Sequence, residues 1–138
     1  MMYKRSGHTE ALKAALKGIM QSISGGYANM GVSLYRVFQK ERSQLGLNPQ
    51  TLETIGNALL YQKLVLEAVW CLHESAKAKN DPLLAQKNLM RVAGVAEEAL
   101  KFKEAVMIFD YFIKTYPDTP LTSFAKQGKT RAESRLGA

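Results

Sequence analysis

A chain of 138 residues, 46% hydrophobic and 22% charged, is long and apolar enough for one domain with its own core, which excludes wholesale disorder. Its net charge of +7 is uneven, at +5 over residues 1–50, −1 over 51–100 and +3 over 101–138. That balance suits an acidic peptide, an anionic surface or nucleic acid, and equally suits plain solubility.

Turn signals fall at Gly25-Gly26, at Gly46-Leu47-Asn48-Pro49, at Asn80-Asp81-Pro82 and at Pro117-Asp118-Thr119-Pro120. Between them the apolar residues recur at helical spacing, and no strand-like Val, Ile and Thr runs occur. The pattern predicts an all-α chain with helices over 8–24, 27–45, 50–62, 65–79, 82–99, 102–115 and 119–136. The first begins in MMYKRSGHTEALKAALK, which lacks the continuous apolar stretch of a signal peptide. Asn48-Pro49, Asp81-Pro82 and Thr119-Pro120 each read as an N-cap followed by proline in the first turn. The run 64–72 is broken by Glu67 and the run 105–113 by Asp110, so no membrane span is expected and the chain reads as cytoplasmic.

The stretch Lys103 to Pro120 is the clearest helix. Ala105, Phe109, Phe112 and Tyr116 share one face, and Pro117 ends it. A related order occurs earlier: Leu52, Ile55, Gly56 and Leu59 are followed by Ala68, Leu72 and Ser75. Leu89, Val92, Ala93 and Ala96 precede Ala105 and Phe109 in the same way, and Leu12, Ala15, Leu16 and Ile19 precede Ala28 and Val32 more loosely. The small residues Ala28, Ala68 and Ala105 stand 40 and 37 residues apart. Gly56 is expected to face Ala68 where two helix backbones approach closely.

These residues together resemble tetratricopeptide repeats. The bulky Phe112 and the pair Tyr116-Pro117 look more like the variants found in bacterial envelope-assembly and periplasmic coordinator proteins. The resemblance implies antiparallel helix pairs stacked as a short superhelix of about seven helices. Residues 8–45 would be a divergent repeat, 50–79 and 82–117 repeats, and 119–136 a polar capping helix with Phe124, Ala125 and Gly128 inside.

Little in the chain points to chemistry. Gly128-Lys129-Thr130 looks like the end of a phosphate-binding loop, but Ser123 stands where the motif needs glycine. Cys71 is the single cysteine, expected to be a buried thiol, and it points about 200° away from His73 on a helix. His73 is expected to be partly exposed near a helix C-terminus. Glu97, Glu98, Glu104 and Asp110 read as helix-surface charge, and the serines lack a base nearby in sequence. No catalysis, cofactor or metal is expected. Tyr35, Phe38, Tyr61, Trp70, Phe102, Phe109, Tyr111 and Phe112 lie at core spacing, so most are expected to pack between helices.

In the family resembled, the first helix of each pair lines a groove that holds peptides. The outward positions here are Lys13, Lys17, Glu53, Asn57, Met90 and Gly94. Gly56-Asn57 is similar to the Gly-Asn of repeats that grip a peptide carboxylate, although that clamp also needs a second Asn and a Lys/Arg pair in the following repeats, and Gly94 occupies one of those places. Lys13 and Lys17 make one end basic, favouring an acidic or C-terminal segment. The expected function is a protein–protein interaction module, standing alone or as the soluble tail of a larger or membrane-anchored protein. A basic nucleic-acid-binding protein and a helical oligomerisation domain, pairing two chains through helices 1–2, are the alternatives.

Overall fold

The computed structural model describes residues 2–137, with side chains described over 7–137. Its regular structure is helical throughout, and no strand occurs among the described residues. The α-helices are α1 (Met2–Ser24), α2 (Ala28–Val37), α3 (Pro49–Tyr61), α4 (Val65–Ala78), α5 (Pro82–Glu98), α6 (Phe102–Thr115) and α7 (Thr122–Leu136), with a 3-10 helix at Gln39–Gln44.

Local chemistry sets several boundaries. The Asn48 side chain accepts a hydrogen bond from Thr51 N at 2.8 Å, and Asp81 accepts one from Leu84 N at 3.0 Å, each with proline in the first turn. Thr119 is not a third such cap. The last helix starts only at Thr122, and its N-cap residue Leu121 makes no side-chain bond. Thr122 closes the turn instead, accepting from Thr119 N at 2.9 Å and donating its hydroxyl to Tyr116 O at 2.6 Å. The single helix expected over 27–45 is two pieces. The chain leaves α geometry at Phe38, tightens into the 3-10 turn and bends at Glu41. The bend carries Leu45 into the core and sets the Arg42 guanidinium 4.8 Å over the Trp70 ring, tertiary contacts that override helical periodicity.

A strict repeat emerges at the turns. Gly26, Lys63 and Leu100 all have positive φ, at 84°, 64° and 61°, and stand 37 residues apart. Each closes its helix with the same pair of bonds. Gly26 N donates to Ile23 O and Tyr27 N to Ser22 O; Lys63 N to Leu60 O and Leu64 N to Leu59 O; Leu100 N to Glu97 O and Lys101 N to Ala96 O. The next helices then begin at Ala28, Val65 and Phe102, again 37 apart. Lys63 and Leu100 hold a conformation that costs a residue with a Cβ about 1–2 kcal/mol, so the surrounding helix pair must impose it.

This register corrects the first repeat. The counterpart of Ala68 and Ala105 is Gly31, which is buried, and not the half-buried Ala28. A Cβ at Gly31 would lie 3.0 Å from Ile23 Cγ1 and 3.5 Å from Ile19 O, so its smallness lets α2 approach α1. Gly56 plays that part in the second pair, but its neighbours are Leu72 and Cys71 rather than Ala68: a Cβ would sit 2.7 Å from Leu72 Cγ and 3.2 Å from Cys71 Cβ.

Consecutive helices pack against one another, as their short connections require, and α1 touches α3 while α4 touches α6. The core runs from Ile19 and Tyr35 through Ile55, Leu59 and Leu72 to Leu89, Phe109 and Phe112. Second helices are tied to one another by polar bonds. Arg36 Nε of α2 meets Glu67 Oε1 of α4 at 2.9 Å, and His73 Nε2 of α4 meets the Tyr116 hydroxyl at the end of α6 at 3.0 Å. Even-numbered helices therefore form one layer and odd-numbered helices another.

Candidate peptide-binding surface

The odd-numbered layer carries its own cross-helix bonds, and these define the candidate surface. Arg91 Nη2 of α5 donates to Asn57 Oδ1 of α3 at 2.7 Å. Arg131 of α7 makes a two-pronged pair with Glu97 of α5, with Nε at 2.7 Å and Nη2 at 2.6 Å from its oxygens. Both links span 34 residues, so they join equivalent helices of successive pairs.

The expected groove residues divide into three kinds. Lys13 and Lys17 are exposed on α1; Lys13 lies 3.8 Å from Glu10, and Lys17 has no partner among the described residues. Glu53 is taken by Lys79, the residue that follows α4, with Nζ 2.5 Å from Oε2. Asn57 is exposed, with its carbonyl oxygen engaged by Arg91 and its amide N–H groups left to solvent. Met90 is half-buried and packs in part against the core. Gly94 has no neighbour within 4 Å of where a Cβ would stand.

Arg91 is the residue that sequence reasoning missed. It stands two positions after Leu89, whereas the expected outward position is one after, at Met90. Its spacing of 34 from Asn57 is the signal that would have found it. Glu53 and Glu97 are paired to cations, while Lys17 of α1 and Lys87 and Arg91 of α5 form no ion pair among the described residues, and Glu98 of α5 is exposed.

Other candidate groups have structural work. Cys71 Sγ donates to the Tyr35 hydroxyl of α2 at 3.3 Å, while His73 turns the other way to α6. Burial pushes the Cys71 thiol up to about 11, which keeps it protonated and unreactive at neutral pH. His73 is buried, where a partly exposed position is expected: Tyr116 holds Nε2 and the Tyr111 hydroxyl lies 3.4 Å from Nδ1. Its pKa is lowered, first by burial and then by the nearby charge of Lys77. Gly128-Lys129-Thr130 lies inside α7, where Gly128 is pressed against Phe109 and Lys129 Nζ reaches Asp110 at 2.7 Å. Tyr61, expected to pack between helices, is 86% exposed, and Phe124, expected inside, is 56% exposed. Among the described residues no three His, Cys, Asp or Glu side chains converge as a metal site would need, and no helix is long and apolar enough to cross a membrane.

No protein-family profile, curated protein or solved structure matches the chain.

Proposed function

We propose that this chain is a non-catalytic interaction module, similar to a tetratricopeptide repeat, that works in the cytoplasm and holds an acidic or C-terminal peptide segment of a partner protein. The observation that carries the reading is the Asn57–Arg91 bond across α3 and α5. It fixes a guanidinium and a side-chain amide together on an exposed surface, with spare N–H donors on both. Such a pair suits a carboxylate, which takes two donors at once. The 37-residue recurrence of the turns at Gly26, Lys63 and Leu100 supports a repeat scaffold, whose usual use is an extended surface for other proteins.

Fluorescence anisotropy with labelled peptides ending in acidic residues and a free carboxylate tests this. Saturable binding is expected, weakened about five- to tenfold by Lys17→Glu and by Asn57→Ala, the loss of roughly one charge-assisted contact each. Absence of saturable binding, or binding that neither change alters, would overturn the assignment.

A further inference from the structure

We propose that the outer face of α1 and α2 binds the same face of a second copy of this chain, making a weak symmetric dimer. This face is a groove of about 540 Å³ between the two helices, with Gly18 and Ser22 of α1 as its floor and Met30, Leu34 and Val37 of α2 as its wall. Met30 is 63% exposed and Val37 73%, and Tyr27 beside them is 64% exposed.

The repeat shows what such a face is for. Thirty-seven residues on, Gly18, Ser22 and Leu34 become Ile55, Leu59 and Cys71, all fully buried. There α2 supplies part of the cover, with Tyr35 on Cys71 and Arg36 on Glu67. The face is therefore built to take a helical neighbour, and in the first pair no described helix supplies one.

Charge decides the occupant. The counterpart of Glu67 is Met30 and that of Glu74 is Val37, so the acidic residues of the internal face are replaced by apolar ones. No lining residue is charged, although residues 1–50 carry +5. A basic cover such as the one Arg36 provides would find no anion here. An identical neutral face meets no repulsion, and it offers protruding Met30 and Val37 to the shallow floor at Gly18 and Ser22, and the reverse. α1 is 23 residues and α2 is 10, so the face covers on the order of 500 Å² per copy. A total near 1,000 Å² is at the lower limit for a specific interface, so the dimer is concentration-dependent.

Sedimentation velocity of the full chain from about 1 to 500 µM tests the proposal over the range expected of a small interface. Wild type is expected to shift from monomer to dimer, and Met30→Lys and Val37→Lys to weaken association at least tenfold with unchanged helical circular dichroism. Phe124→Lys, on the exposed side of α7, is expected to leave association unchanged. A wild-type monomer at every concentration would overturn the proposal. So would a dimer that Met30→Lys and Val37→Lys leave intact, or one that Phe124→Lys abolishes.

Discussion

At one end of the stack, Gly128 of α7 lies against the Phe109 ring so closely that a Cβ there would collide with it, and Arg131 and Lys129 clamp the helix to Glu97 and Asp110. At the other end, Gly18 and Leu34 open onto a groove, with Met30 and Val37 exposed along its wall. The turns inside the helix pairs recur every 37 residues, and the two ends differ in what covers them. A repeat buries its apolar face only when a neighbour lies on it. α7, with its many polar residues, supplies that neighbour at one end. At the other, the first helix pair presents the face without its cover.

Truncating one apolar side chain at each end should give the largest difference between them. Phe109→Ala is expected to cost about 3–5 kcal/mol in chemical denaturation, because the ring is fully buried beneath α7. Leu34→Ala, at the rim of the open groove, is expected to cost only about 1–2 kcal/mol. Equal losses would mean that the two ends are covered alike. The glycines give a smaller and opposed pair. Gly128→Ala must displace the Phe109 ring and is expected to destabilise by about 1–3 kcal/mol. Gly18→Ala meets only the tip of Leu34, at 2.7 Å from Cδ2, which can swing into the groove. The gain in helix propensity then offsets the contact, and the net change is expected to lie within about 0.5 kcal/mol of zero.

The smallest effect is one of pH. His73 ties α4 to the end of α6, just before the chain enters α7. Its folded pKa is lowered from 6.5, so the unfolded chain takes up its proton first. The stability it contributes is fully present above about pH 6.5 and is lost as pH falls below it. Thermal melts of wild type are expected to drop between pH 7 and 5, and His73→Gln to show a shallower slope. An identical slope in both proteins would remove His73 as the acid-sensitive tie of the closed end.

Much of the fold was legible because its signals are local. Asn48-Pro49 and Asp81-Pro82 cap their helices through bonds three residues long, and the face of Ala105, Phe109 and Phe112 needs only helical periodicity. What stayed hidden depends on contacts between helices. Lys63 and Leu100 occupy a conformation usually marked by glycine, so the strict repeat is silent at two of its three turns. Ala28 and Gly31 are both small, and only the packing of Gly31 on Ile19 and Ile23 tells which belongs to the repeat. At the candidate surface, Asn57 was readable as an outward residue. Met90 and Arg91 are adjacent on one helix, and which of them turns to the core is settled by the neighbouring helices.

Hydrogen exchange measured at low and high protein concentration tests the contrast between the two ends most directly. Backbone protection in α2, residues 28–37, is expected to rise with concentration while protection in α7, residues 122–136, stays constant. Protection of α2 that does not change with concentration, or a rise confined to α7, would contradict it.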